Sequence, residues 1–324
     1  MNDIVQAYKQ TALNLLKNPD SAEDLSNQFI LLYAKGSGTA HLALAMRCAA
    51  IEPNKFLPVF NLGSAQLKSG LYQESIATFH RALGLASPEN VRIAMLHIGL
   101  ANYASGSPVE AMKWYERGRV LLDDTDVQQS IAIARLMAGE LEAMYEFECK
   151  YHTPRRKPIA DSGIPRWMGE DLTGKTIIVC HEQGYGDTIQ FARFIPELKA
   201  ERVIWSGPDS LDGLIVGNFV FDDVIGEDGL FQADYYCSPI SICGALRAKY
   251  NSVSGLPYLR ATPIKLPDRG LKIGLCWAGN PDYAHDAERS MALKDLAPLL
   301  EIPGTGFYSF QVGNEGDITR LGLD

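Results

Sequence analysis

The 324-residue sequence is short of several things, and each shortage removes a class of function. No run approaches the roughly 18 apolar residues that cross a bilayer, so no transmembrane segment is expected. The amino terminus, MNDIVQAYKQTALNLLKNPD, lacks both a long apolar core and a small-residue cleavage site. It reads as an amphipathic helix and not as a signal peptide. Positive charge is also lacking. The net charge is -9 and the pI is near 5.2, which argues against nucleic acid or an anionic membrane as partner. The one dense basic cluster, Arg155-Arg156-Lys157, lies in a proline-containing stretch and reads as a solvated linker. Neither a C-x-x-C pair nor a histidine cluster is present. Cys48, Cys149, Cys180, Cys237, Cys243 and Cys276 are scattered, several in apolar strand-like runs. Without an export signal they read as buried thiols of a cytoplasmic protein.

What is there begins with an internal repeat. FNLGSAQLKSGLYQESIATFHRAL starts at Phe60, and LHIGLANYASGSPVEAMKWYERGR starts at Leu96. Overlaid, Gly63 falls on Gly99, Gly70 on Gly106, Ser75 on Ala111 and Phe79 on Tyr115, each pair 36 positions apart. Small residues suit a close helix crossing, glycine suits the turn, and the aromatic fills the groove between helices. HLALAMRCAAIEPN before the pair reads as a weaker copy. So does SIAIARLMAGELEAMYEFECKYH after it, with its turn at Gly139. The pattern resembles the tetratricopeptide repeat. Residues 1–150 are therefore expected as helix pairs whose groove holds a peptide or partner protein. The run Asp123-Asp124-Thr125-Asp126 contains a D-x-D string that can hold a metal–nucleotide in some transferases. Between two repeats it reads as a helix cap and linker.

From about residue 151 the grammar changes. YHTPRRKPIADSGIPRW carries three prolines and no helical period, which sets a linker over 151–166. Short apolar strands then alternate with helices. Strands are expected at Lys175–Cys180, Arg202–Trp205, Val220–Ile225 and Asp234–Cys237. Helices are expected at Thr188–Lys199, Ser210–Val216 and Ser238–Tyr250. That alternation implies a parallel sheet flanked by helices, so residues 167–262 read as a Rossmann-like α/β domain. After LRATPIKLPDRG a second α/β unit starts with a strand at Leu271–Trp277. A helix near Lys294–Glu301 and a strand at Gly306–Gln311 follow. Residues 263–324 are few for a doubly wound domain, which typically needs about 100. The expectation is a half-domain or a fragment.

The stretch HEQGYGDTIQFAR, residues 181–193, follows the first of these strands. Ligands of open α/β sheets sit at such carboxyl edges. It matches neither G-x-G-x-x-G, since Ile189 holds the third glycine position, nor a P-loop, since no lysine follows the glycines. A carboxylate beside the loop also repels a diphosphate. Glycines with an acid suit a hydroxyl substrate that approaches the backbone closely and gives its proton to Asp187. The bland alternative is a capping box, with Asp187 at the N-cap and Gln190 three residues on. One residue can do both.

WMGEDLTGKTIIVCHEQGYGDTIQFARFIPELK resembles the start of the catalytic part of tetratricopeptide-containing, heptosyltransferase-like glycosyltransferases. ADYYCSPISICGAL, LPYLRATP, KIGLCWAGNPDYAHDAERSMAL and FYSFQVG are similar to the same family, in order, over about residues 165–324. The resemblance implies a GT-B architecture of two facing Rossmann-like domains, the second incomplete here. It implies a cytoplasmic, metal-independent, inverting transfer of a sugar from a nucleotide sugar to an acceptor glycan or protein. It places the family's proposed base on Asp187, with Gln183, Gly184, Gly186 and Thr188 around the acceptor. The donor side falls on the WAGNP loop, with Trp277, Gly279 and Asn280, together with Ser290, Gln311 and the diphosphate-binding Arg289. A non-catalytic interaction scaffold carrying a vestigial Rossmann-like unit is the rival expectation.

Overall fold

The computed structural model describes residues 2–35, 40–147, 163–226, 232–267, 270–281, 286 and 289–312. The basic cluster at 155–157, Cys149 and most of the expected linker lie outside the described residues. The chain divides into two compact units, Met1–Arg260 and Ala261–Asp324.

The first unit opens with a helical array. Its helices are α1 (Asn2–Lys17), α2 (Ala22–Lys35), α3 (Ala40–Ile51), α4 (Phe56–Lys68), α5 (Tyr72–Gly84), α6 (Pro88–Ala104), α7 (Pro108–Leu121) and α8 (Thr125–Met137). Turn chemistry sets the repeat. Gly70, Gly106 and Gly139 all have positive φ, between 75° and 92°. At each, two backbone bonds close the preceding helix in a Schellman motif. They run Leu71 N–H to Gln66 O and Gly70 N–H to Leu67 O, then Ser107 to Asn102 and Gly106 to Tyr103, then Glu140 to Arg135 and Gly139 to Leu136. Starts are set as clearly. Pro88 and Pro108 open α6 and α7, where a missing N–H costs nothing. Asp124 caps α8 by accepting the Val127 N–H at 2.9 Å.

Within a pair, Gly63 and Gly99 lie directly under Phe79 and Tyr115. A methyl group on Gly63 would fall 2.8 Å from the Phe79 ring, and one on Gly99 would fall 2.6 Å from the Tyr115 ring. The Ser75 hydroxyl adds a buried bond to Gly63 O at 2.8 Å. Successive pairs join through aromatics, since Phe79 of one pair meets His97 of the next at 5.3 Å between centroids. The helices α2, α4 and α6 also approach one another directly. They form the inner face of the array.

A 3₁₀ turn, Leu141–Ala143, runs into the short α9 (Met144–Phe147). Leu141, Met144 and Phe147 pack on the core of the following α/β region. Helix α12 (Pro239–Ala245) crosses α9 so closely that a methyl on Gly244 would lie 2.9 Å from the Met144 carbonyl. The Arg247 guanidinium lies 4.1 Å over the Tyr145 ring.

The α/β region has strands β1 (Thr176–Cys180), β2 (Arg202–Ser206), β3 (Asp223–Ile225) and β4 (Tyr235–Cys237), all parallel, in the order β3-β2-β1-β4. Ile177, Val179, Trp205 and Cys237 turn one face toward the main core, and Ile178, Cys180, Ile204 and Tyr236 turn the other way. That two-sided burial explains the unbroken apolar run in β1. Between the strands lie α10 (Tyr185–Phe191) and α11 (Asp209–Ile215). The helix expected over Thr188–Lys199 therefore starts earlier. It tightens into a 3₁₀ segment, Ala192–Glu197, around Pro196, which cannot continue an α-helical ladder.

The second unit pairs β5 (Leu271–Leu275) with β6 (Thr305–Ser309) in parallel. A 3₁₀ turn, Leu293–Leu296, and α13 (Ala297–Leu300) lie between them. Both expected strands end earlier than read, so Trp277 and Gln311 lie just past the strand ends. Among the described residues no helix is long and apolar enough to cross a membrane.

Candidate functional site

The order β3-β2-β1-β4 reverses direction at β1, so the carboxyl edges of β1 and β4 flank a topological switch point. Crevices at such points hold the ligands of open α/β sheets. The loop after β1 begins with His181, whose N–H is tied to Ser206 O at the end of β2, 2.7 Å away. Gln183 follows in left-handed backbone, φ 64°, a conformation that costs a non-glycine residue about 1–2 kcal/mol.

Asp187 sits at the third residue of α10 and not at its N-cap. Gly184 is the N-cap, with φ -87° and ψ 161°. The Gly184 N–H donates to Asp187 Oδ2 at 3.1 Å, and the Asp187 N–H donates to Gly184 O at 3.1 Å. The expected box therefore exists three residues earlier, with Asp187 as its acid and Gln190 outside it. A methyl group on Gly184 would stand 3.2 Å from Asp187 Oδ2, so glycine leaves room for the carboxylate at this place. Asp187 remains partly open to solvent. Gly186 is exposed, and no atom lies within 4 Å of where its Cβ would stand.

Thr188 is fully buried, and its hydroxyl bonds His181 Nδ1 at 2.8 Å. The exposed Tyr185 reaches Ser210 at the start of α11, hydroxyl to hydroxyl, at 2.7 Å. Its ring meets His181 edge-on, with centroids 5.5 Å apart. His181, Tyr185 and Ser210 thus join the site although none was singled out from the sequence. The available signal was position: His181 directly follows a strand. The nearby thiol offers no nucleophile, because burial pushes Cys180 up to about 12. Cys48, Cys237 and Cys243 are buried as expected, whereas Cys276 is exposed beside the WAGNP loop. Behind α10 lies a cavity of about 440 Å³ between Arg193, Leu246 and Tyr258; it does not include Asp187.

The donor-side candidates belong to the second unit. Their loop is held by its own neighbours. Gln311 Oε1 accepts the N–H groups of Trp277 at 3.0 Å and Ala278 at 2.9 Å. Ser290 Oγ accepts the Gly279 N–H at 2.8 Å and donates to Asp286 Oδ1 at 2.7 Å. Ser290 and Gln311, expected to meet a ligand, therefore shape the loop. Trp277 is buried and Asn280 exposed. Arg289 donates to Asp286 at 3.3 Å. It stands over Gly279, where a methyl group would fall 2.5 Å from its Nη2. Glycine there lets the guanidinium lie close to the backbone.

The inner face of the array is a second candidate. Ile30, Leu57, Ile93 and Leu100 are exposed on α2, α4 and α6. A notch of about 230 Å³ opens between α6, α7 and α8, lined by Arg92, Leu96, His97, Tyr115, Asp126 and Val127 among others. Arg92 pairs with Asp124, so the D-x-D string serves as cap and ion-pair partner. Among the described residues no cluster of His, Cys, Asp or Glu could hold a metal ion.

No family model matches this chain. The protein FlbA of Caulobacter vibrioides is 25% identical over 97% of this chain and 59% of its own length. The chain thus spans about three-fifths of the curated relative it matches. Among solved structures, MamA is 20% identical over 47% of this chain and 82% of its own, with a TM-score of 0.41. An O-GlcNAc transferase mutant of Thermobaculum terrenum is 17% identical over 68% of this chain and 38% of its own, with a TM-score of 0.30.

Proposed function

We propose that the helical array recruits a partner into its inner face and that the α/β region transfers a sugar to a hydroxyl of that partner. The donor is a nucleotide sugar. The observation that carries this reading is Asp187, a partly open carboxylate at a switch-point loop that also contains a strained Gln183. One oxygen, Oδ2, is held by the Gly184 N–H, which fixes the direction of the other. A carboxylate oriented in this way takes the proton of an attacking hydroxyl. The hydroxyl oxygen then bonds to the anomeric carbon while the bond to the diphosphate breaks on the opposite side, inverting the centre. In the second unit, taken by itself, Arg289 set over Gly279 presents a guanidinium of the kind that binds a diphosphate.

The second reading is an interaction scaffold without turnover. It is favoured by the engagement of Asp187, Ser290 and Gln311 in bonds within the fold. The test is release of nucleoside diphosphate from a panel of nucleotide sugars, with and without lysate fractions bound through the array. Release that depends on both a single sugar nucleotide and the captured partner supports transfer. Partner capture with no release from any donor leaves the scaffold.

A further inference from the structure

The notch on the inner face contains more than apolar surface. Its floor is Tyr115, only 5% exposed. No described residue bonds its hydroxyl, and burial pushes the phenol well above its ordinary value, keeping it protonated. Beside it, Arg92 gives one terminal nitrogen to Asp124 while its buried Nε–H has no acceptor. A buried donor without a partner costs about 1–3 kcal/mol. The Arg92 Nε–H, buried and unpartnered in this notch, marks a place where an acceptor is missing. The walls are Leu96, Leu100 and Val127. At the lip Asp126 is exposed, and no described residue pairs with its carboxylate, whereas Asp124 is doubly engaged. His97 donates Nδ1–H to Ile93 O, and burial lowers its pKa. It therefore adds no positive charge at neutral pH to offset Asp126.

We infer that this notch binds an extended segment of a partner protein that carries a leucine-sized apolar side chain next to a lysine or arginine. This deepens the recruiting role assigned above to the inner face and rests on it. The apolar side chain enters between α6 and α8. The segment's backbone carbonyl accepts from Tyr115 and the Arg92 Nε–H, and its basic neighbour pairs with Asp126.

The experiment uses the whole chain and three labelled peptides, alike except for the two residues flanking a central leucine: both lysine, both glutamine or both glutamate. Fluorescence anisotropy at low salt should rank lysine above glutamine above glutamate, with about tenfold between the extremes. Replacing the peptide leucine by alanine should weaken binding at least about tenfold, as for one buried leucine. Because the chain carries a net charge of -9, any cationic peptide is drawn to it. Asp126→Asn must therefore narrow the lysine preference, while Glu74→Gln, an equal charge change on exposed α5, must not. Tyr115→Phe should weaken all three peptides alike, by several-fold. Equal binding of all three peptides, or equal effects of the two charge variants, would overturn the notch assignment and leave the recruiting role standing. Absence of binding by every peptide would overturn both.

Discussion

Gly99→Ala offers a stringent test of how the repeat is built. The new methyl would stand 2.6 Å and 2.7 Å from two carbons of the Tyr115 ring, where carbon atoms ordinarily rest about 3.5–4.0 Å apart. The ring packs with Ala111, Val127, Ile131 and Ala134, which resists its displacement. Overpacking of this kind costs about 1–3 kcal/mol, and the pinned ring puts this case near the upper end. Alanine regains about 1 kcal/mol of helix propensity over glycine. The net expectation is a loss of about 1–2 kcal/mol. The sign should reverse when the ring is gone. In a Tyr115→Ala background the same change meets no obstacle and should stabilise by about 1 kcal/mol. Urea unfolding of the four proteins gives a coupling of about 2–3 kcal/mol. If Gly99→Ala stabilises the parent chain, the glycine is not there for the ring and the argument for the helix crossing fails.

Three further outcomes are expected. Burial lowers the pKa of His97, so the unfolded chain binds its proton first. Stability should be full above the ordinary imidazole pKa of about 6.5 and fall as the pH drops below it; in His97→Gln that acid slope should flatten, as read by melting temperature across pH. Gly244→Val, which drives a branched side chain into the Met144 backbone, should raise amide exchange in α9 and α12 together; exchange confined to α12 would contradict the shared core. Arg289→Ala should weaken metal-free nucleoside diphosphate binding in calorimetry about tenfold to a hundredfold, as for one lost charge-assisted contact, and equal binding by both proteins would remove Arg289 from the site.

Where one residue type answers one local demand, the sequence was readable. Gly70, Gly106 and Gly139 announce turns because only a residue without a side chain takes that backbone easily. Gly63 and Gly99 announce helix crossings because an aromatic recurs 16 positions later. The places of the strands along the chain followed from apolar runs. Element ends were harder, since they depend on hydrogen bonds to distant residues. Asp187 looked like an N-cap because aspartate commonly is one, yet Gly184 holds that place and Asp187 is the third residue of the helix. The use of Gln311 and Ser290 to brace the WAGNP loop could not be read at all, because each acts across a gap of more than ten residues. The packing of Leu141, Met144 and Phe147 under α12 was hidden by the prolines that follow them.

The central claim is that Asp187 does chemistry beyond closing its helix, and Asp187→Asn tests it most directly. The asparagine carbonyl can still accept the Gly184 N–H, now at 3.1 Å from Oδ2. Losing a negative charge in the first helical turn costs about 0.3–1 kcal/mol, a shift of a few degrees in melting temperature at most. As a base the amide is inert, and loss of a general base slows a reaction by about 10²–10⁴-fold. The account predicts a protein that melts nearly as before and transfers sugar at least about a hundredfold more slowly. Turnover equal to the parent at an unchanged melting temperature would contradict it. So would a collapse in melting temperature, which would show the carboxylate to be structural.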